Sequence, residues 1–340
     1  MSKSGSDNVV ACLADGVAHG KAGRYVREMI ESALGFATDG ATIAELKLMS
    51  RALKELRTAN AVFSRYKKSR KVAVFGSART KPDQPEYAQA VEFGKKIVEH
   101  GYMLITGGGD GIMGAAQSGA GAEQSFGLNI RLPFEQAANP TIHGDPKLIT
   151  FNYFFTRKLN FAKETSAFAL FPGGFGTHDE GFEILTLMQT GKMPIVPIVM
   201  IDRPNGHYWE TWRRFIQNDL LANGLVSESD FHLIHVTYDV DEAIRHIAAF
   251  YRNFHSYRWV REKMVIRIRK ALTPSAVADL NVRFDEVFAS GGLTQTGALE
   301  EEADDAHLHH LVRLVLVPHK RDFGLLRLLL DAINEAETAA

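Results

Sequence analysis

Two glycine-rich turns constrain this chain more than anything else in it. TGGGDGIMG spans 106–114 and FPGGFGTHDE spans 171–180. Each follows a short apolar run, YMLIT at 102–106 and AFALF at 167–171, and each opens a stretch of helical character. A strand that turns through bare backbone into a helix leaves unpaired N–H groups at the positive end of the helix dipole, a ready anion site. Glycine lets the backbone approach a ligand closely and take positive φ. Either turn alone reads equally well as a tight connection. Two in one chain point to joint phosphate binding beyond the carboxyl ends of the strands of an open parallel sheet. The bare positions are Gly107, Gly108, Gly109, Gly111 and Gly114 in the first turn. In the second they are Gly173, Gly174 and Gly176, with the Thr177 hydroxyl beside them. The first turn is not a Walker A loop, because no Gly-Lys-Ser/Thr follows, and it lacks the usual dinucleotide fingerprint.

The rest of the chain sets these turns in an α/β frame. VAVF (72–75), YMLIT, SFGLNIRL (125–132), AFALF and PIVPIVMI (194–201) read as buried strands. Helical stretches are expected from about 85 to 100, after the first glycine turn, near Arg157, from about 178 to 190, and from about 209 to 221. Short apolar strands alternating with helices imply a Rossmann-like parallel sheet with helices on both faces. Ahead of it, residues 1–22 read as loosely held. Residues 23–66 read as helix, with Ile43, Leu46, Met49, Leu53, Leu56 and Phe63 in one apolar stripe. The basic run KSRK at 68–71 reads as a solvated hinge. Behind the sheet, MVIRIR and VADLNVRFDEVF, then HLVRLVLV and FGLLRLLLDAINE, suggest two further β–α units. The expected division is a helical N-terminal extension over 1–69, a Rossmann-like domain over 70–253 and a small α/β C-terminal subdomain over 254–340.

Composition narrows the ligand. The chain has 340 residues, 45% of them apolar and 23% charged, which is enough for a substantial core. A formal net charge of −1 gives no field that draws the whole molecule to nucleic acid or to an anionic membrane, so the expected partner is a small molecule. The single cysteine, Cys12, excludes a disulfide framework within the chain and fits a reducing cytoplasm. The N-terminal residues do not read as a signal peptide, and no run approaches the eighteen or so apolar residues that cross a bilayer. HLHH at 307–310 invites thoughts of a metal. Without matched carboxylates or cysteines it reads as a packing or solvated cluster. Trp209 and Trp212, three apart on a helix, are expected to be at least partly buried. FNYFF at 151–155 reads as core, with the wall of a base pocket as the alternative.

Two charged residues stand in uncomfortable places. Glu180 follows the second glycine turn by a few residues, where a carboxylate and a bound phosphate repel. Arg157 opens the preceding helix, where a guanidinium meets the positive end of the dipole unless it faces an anion or a carboxylate. Both positions point to function.

Taken together, these motifs resemble the LOG family, the phosphoribohydrolases that release cytokinins from their riboside 5′-monophosphates and were once widely labelled lysine decarboxylases. The family's PGGxGTxxE is matched at every fixed position by residues 172–180. Its preceding arginine is matched by Arg157, with Lys158 following. Its GGGxxGLMG is resembled by Gly107, Gly108, Gly109, Met113 and Gly114, with Ile112 in place of leucine. GSAR at 76–79, with Gly76 and Ser77, resembles the segment after the first strand that contacts the nucleotide, and Glu183 matches a further acidic position. The resemblance covers roughly 70–250. It departs from the family at His178-Asp179, where an apolar residue and then an acid are common, and in both terminal extensions, which the short cytokinin-activating members lack.

The resemblance implies hydrolysis of the N-glycosidic bond of a nucleoside 5′-monophosphate to free base and ribose 5-phosphate. Glu180 would stabilise the oxocarbenium-like transition state and help to orient or deprotonate water, and Arg157 would position substrate and glutamate. The glycine turns and Thr177 would hold the phosphate. The scheme needs no metal or cofactor. Homodimers are the typical assembly of small members. The alternative is a non-catalytic nucleotide-binding or regulatory protein on the same fold. A decarboxylase reading finds no lysine in a recognisable Schiff-base context.

Overall fold

The structure, a computed structural model, describes residues 20–133, 137–319 and 322–339. Cys12 and nearly all of the segment expected to be loosely held lie outside the described residues. By its backbone contacts the chain divides into two compact units, residues 1–60 and 61–340.

The N-terminal unit is helical, but broken where one helix was expected. Helix α1 runs Gly20–Thr38 and α2 runs Ile43–Phe63, with a 3-10 turn over Ser64–Tyr66. Gly40 takes φ +81°, and Thr42 then caps the second helix. The Thr42 N–H donates to the Glu45 carboxylate at 2.7 Å, and the Glu45 N–H donates to Thr42 Oγ1 at 3.3 Å, a reciprocal capping box. The buried stripe of α2 also differs from the one expected. Ala52, Glu55, Ala59 and Phe63 are buried, whereas Ile43, Met49 and Leu53 are exposed. Phe63 is common to both stripes, and Leu46 and Leu56 are half-buried, so the buried face is rotated from the expected one rather than opposite to it.

Seven strands form one parallel sheet: β1 (Lys71–Phe75), β2 (Met103–Thr106), β3 (Ser125–Ile130), β4 (Leu148–Phe151), β5 (Ala167–Leu170), β6 (Ile198–Ile201) and β7 (Ile234–Thr237). Their order is β4-β3-β2-β1-β5-β6-β7, and every pairing is parallel. The chain therefore works outward from β1 to β4, then returns to the other side of β1 with β5. That reversal sets the crevice where open α/β sheets bind ligands between the carboxyl ends of β1 and β5.

Helices α3 (Pro85–Glu99), α4 (Ile112–Ala120), α5 (Phe154–Glu164), α6 (Phe175–Gln189), α7 (Tyr208–Phe215) and α8 (Val240–Phe250) connect the strands. A π-helical turn, Ile216–Leu221, continues α7. The small residues of IMGAAQSGAGA let α4 lie almost backbone to backbone on α3. A Cβ on Gly94 would sit 2.0 Å from Ala116 O, and one on Gly119 would sit 2.0 Å from Val91 O.

Several sequence expectations change here. Lys71 belongs to β1 rather than to a solvated hinge. Its buried ammonium donates to Tyr66 O at 3.0 Å and Ser69 O at 3.1 Å, and burial lowers its pKa. Pro194 and Pro197 lack N–H groups, so PIVPIVMI contributes only its last four residues as strand. β4, β7 and α8 were not anticipated.

In the C-terminal region both expected β–α units are present, and two strands that the sequence did not suggest join them in one sheet. β8 (Phe254–Val260), β9 (Lys263–Ile268), β10 (Phe288–Thr296) and β11 (Val312–Pro318) form an antiparallel sheet in the order β10-β11-β9-β8, with α9 (Pro274–Arg283) and α10 (Phe323–Glu335). Its apolar residues, among them Ile266, Leu314 and Leu330, join the same core as Val72, Val199 and Ile247. Asn334 of α10 stitches the junction. Its Oδ1 accepts from Asn253 N at 2.9 Å and Phe254 N at 2.8 Å, and its Nδ2 donates to Phe250 O at 2.6 Å. A buried carboxylate, Glu302, accepts from Arg267 at 2.6 Å and from Arg313 at 2.8 Å. His309 Nε2 lies 3.2 Å from Glu302 O. Among the described residues no cluster of three or more His, Cys, Asp or Glu is placed to hold a metal, and no helix is long and apolar enough to cross a membrane.

Candidate active site

The crevice between β1 and β5 opens into a cavity of about 780 Å³. Residues 75–79, after β1, form one wall and residues 173–180, after β5, form the other, with Met113, Phe154 and Arg157 closing it. Ser77 ties the surrounding turns together through its backbone. Its N–H donates to Pro172 O at 3.1 Å, and its carbonyl accepts from Ile112 N, the first amide of α4, at 3.0 Å.

The second glycine turn lines the cavity, and its helix starts at Phe175, three residues earlier than the sequence suggested. The first bonds of α6 run from Thr177 N and His178 N to Gly174 O at 3.0 and 3.2 Å. The N–H groups of Gly174, Phe175 and Gly176 have no protein acceptor among the described residues, the condition for an anion cradle. A Cβ on Gly173 would lie 2.1 Å from Thr177 Oγ1 and 3.1 Å from Ser77 N, so only glycine lets the turn close this far. A Cβ on Gly174 or Gly176 would meet nothing within 4 Å.

The first glycine turn stands one strand further out, after β2, and only Met113 of it reaches the cavity wall. Its glycines make room for neighbours. A Cβ on Gly107 would fall 2.5 Å from the Arg157 guanidinium, and one on Gly111 would fall 2.3 Å from Ser77 O. A Cβ on Gly76 would fall 2.6 Å from Ile112. Gly108 takes φ +77°, and Asn139 Nδ2 donates to the carbonyls of Gly108 and Gly109 at 3.1 and 3.0 Å. Gly114 packs beside the same asparagine. The geometry thus places Gly107, Gly108, Gly109, Gly111 and Gly114 behind the cavity, where they shape the support for Arg157 and the 77–78 backbone.

Arg157 and Glu180 converge. Arg157 Nη1 lies 4.0 Å from Glu180 Oε1, with both side chains largely buried. Arg157 Nε donates to Leu128 O at 2.7 Å, which aims the guanidinium, and burial lowers its pKa against the pull of Glu180. Glu180 sits in the second turn of α6. Burial pushes its pKa up to about 7 despite Arg157 and Lys158 nearby. Its Oε2 is buried and has no hydrogen-bond partner among the described residues. A carboxylate held half-protonated near neutrality, with one oxygen unspent, is equipped for proton transfer or for facing a developing cation.

Lys158 and Glu183 do not line the cavity. They pair with each other at 2.8 Å, and Lys158 also binds Asp179 at 2.8 Å. Burial works against the Lys158 ammonium, and these two carboxylates override it and raise its pKa. FNYFF divides. Phe151 is core, while Phe154 is half exposed and lines the cavity. Trp209 is fully buried, and its indole N–H donates to Ile201 O at 3.2 Å. The sequence reading missed Tyr208 as a site neighbour. Nothing in a lone tyrosine thirty residues downstream marks it. Arg79, inside GSAR, and His178, inside the second glycine motif, also line the cavity.

Fold and site define a class: Rossmann-like α/β proteins with a glycine-rich helix N-terminus at the topological switch point and an arginine–carboxylate pair beside it. A family profile described as "Possible lysine decarboxylase" matches residues 113–247. A cytokinin riboside 5′-monophosphate phosphoribohydrolase of Mycobacterium tuberculosis is 33% identical over 179 residues, covering 51% of this chain and 91% of that protein. A rice enzyme, cytokinin riboside 5′-monophosphate phosphoribohydrolase LOG of Oryza sativa subsp. japonica, is 33% identical over 134 residues, covering 37% of this chain and 53% of its own. Among solved structures, the molybdenum-cofactor carrier protein of Chlamydomonas reinhardtii aligns with a TM-score of 0.36 and 24% identity, over 53% of this chain and 96% of that one. The chain belongs to the LOG family.

Proposed function

We propose that this protein hydrolyses the N-glycosidic bond of nucleoside 5′-monophosphates, giving free base and ribose 5-phosphate. The observation that carries the reading is Glu180, a buried carboxylate with a pKa of about 7 and an unpartnered oxygen, beside a cradle of free N–H groups. Phosphate binding alone has no use for such a carboxylate, which repels the anion. A glycosidase has two uses for it. As the C1′–N bond breaks, the base leaves with the electron pair and positive charge develops on the ribose, which the carboxylate stabilises. Water then adds at C1′, and the carboxylate accepts its proton. Arg157, fixed by Leu128 O, holds Glu180 and the sugar in register. The 5′-phosphate, seated on residues 174–176, anchors the ribose through binding energy remote from the reacting bond.

The same reading includes a homodimer. Ile43, Met49 and Leu53 of α2 are 81%, 42% and 55% exposed, an apolar face that two-fold pairing would bury. The deciding experiment incubates the purified full-length protein with a panel of nucleoside 5′-monophosphates and quantifies free base and ribose 5-phosphate. Release of both in equal amounts is expected. Tight nucleotide binding without release of base from any member would instead favour a regulatory nucleotide-binding protein.

A further inference from the structure

A part-buried hydrogen-bond chain reaches the cradle from a different strand. Asp202, at the end of β6, is buried. Its Oδ2 accepts from Tyr208 N at 2.7 Å, and its Oδ1 accepts from Arg203 N at 2.9 Å. The carboxylate thus caps α7 and fixes its first residue. Tyr208 then extends back to the glycine turn. Its phenolic oxygen bonds both Gly173 O and His178 Nε2, the latter at 2.6 Å. A carbonyl only accepts, so the single phenolic proton goes to Gly173 O. The Tyr208 oxygen must then accept, and His178 must carry its proton on Nε2. Burial lowers the pKa of His178 and raises that of Tyr208, so both groups are neutral at pH 7 and the pattern is self-consistent. The rings also stack, with centroids 5.8 Å apart and planes 23° apart.

A trans peptide directs its N–H opposite to its C=O, and no described peptide bond is cis. Turning Gly173 O onto Tyr208 therefore turns the Gly174 N–H away from it. The two residues that flank this peptide, Gly173 and Gly174, both lack a Cβ, so no side chain of their own prevents it from flipping. We propose that Tyr208, with His178 ordering its proton, is a positioning residue that locks the 173–174 peptide with its N–H presented to the phosphate. The proposal rests on the reading of the glycine turn as an anion cradle. It gives the His178 departure from the family pattern a role, because a histidine at this position supplies the donor that an apolar residue lacks.

Direct binding tests it without requiring turnover. Titration calorimetry of AMP and of inorganic phosphate is run on full-length wild type and on Y208F, which keeps the ring and removes the hydroxyl. The expected result is about tenfold weaker binding of both ligands to Y208F, with unchanged binding of adenosine, which lacks the phosphate. H178F, which keeps stacking but loses the donor, weakens phosphate binding by a smaller factor. H178Q, which restores an N–H near the Nε2 position, recovers most of that loss. In turnover, KM for the nucleotide rises in Y208F while kcat changes much less. Equal phosphate affinity in wild type and Y208F overturns the proposal, and so does an equal loss for AMP and adenosine. Failure of wild type to bind phosphate overturns both this inference and the cradle. Wild-type binding without turnover, with Y208F still weaker, removes the hydrolase reading and leaves this inference standing.

Discussion

Replacing Glu180 by glutamine is expected to remove activity and to stabilise the protein, by an amount that depends on pH. The carboxyl is raised from an ordinary 4.5 to about 7 in the folded state, chiefly by burial. A carboxyl whose folded value lies above its unfolded one costs nothing below the unfolded pKa. The cost then grows as pH rises and levels off above the folded value. At about 1.36 kcal/mol per pH unit, the full cost is about 3 kcal/mol, reached above pH 8. Glutamine resembles the protonated acid and escapes that cost. E180Q should therefore match wild type within about 0.5 kcal/mol at pH 4.5 and exceed it by about 3 kcal/mol at pH 8.5. With about 2.1 cal/mol/K per residue over residues 61–340, an unfolding entropy of ~0.6 kcal/mol/K converts this to roughly 5 °C in midpoint. Thermal unfolding of both proteins across that pH range, with turnover measured in parallel, is the assay. A stability difference that stays flat with pH, or that favours wild type at pH 8.5, would refute the argument that Glu180 is held ionised at a cost.

Other outcomes follow from the same geometry. If the ionised form of Glu180 is the active one, kcat/KM should fall about tenfold per pH unit below pH 7, and a profile flat from pH 5 to 8 would remove Glu180 from the chemistry. Adenosine should be hydrolysed at least about a hundredfold less efficiently than AMP, and equal efficiency would remove the phosphate cradle from the mechanism. G94A should cost about 1–3 kcal/mol in denaturant unfolding, because its Cβ meets the Ala116 carbonyl, and a neutral effect would show that α3 and α4 can separate cheaply. E302Q leaves two buried guanidiniums short of a carboxylate and should cost about 3–5 kcal/mol in the same assay. Light scattering of the full-length protein should give twice the mass of one chain, and a monomer would contradict the proposed pairing.

The sequence revealed most where local chemistry is decisive and least where distance is. The strands β1, β2 and β5 are nearly continuous apolar runs, and buried parallel strands look like that. β7, IHVT, is an edge strand, and its half-buried histidine and buried threonine mask it. β8 and β10 were missed for a related reason. FHSYRWV alternates weakly, and FASGGLTQT carries two glycines with positive φ, so neither resembles a strand. At the site, Arg157 and Glu180 stood out because each is electrostatically awkward where the helices begin. The two glycine turns looked equivalent in sequence, yet only one faces the cavity. Strand order decides between them, since β5 borders the switch point at β1 and β2 lies on the other side. A single sequence does not disclose that order.

The Asn334 junction bears on how this protein can be cut and recombined. One side chain near the end of the chain satisfies three backbone groups at residues 250–254, where the nucleotide-site region gives way to the antiparallel sheet. Removal of everything after residue 253 would strip Phe250 O and Asn253 N of their partner and bare apolar residues of a shared core. The C-terminal region is therefore not a detachable cassette. Shuffling at that boundary would yield an insoluble fragment, and sequence drift in α10 is answerable to the stability of the sheet that carries the site.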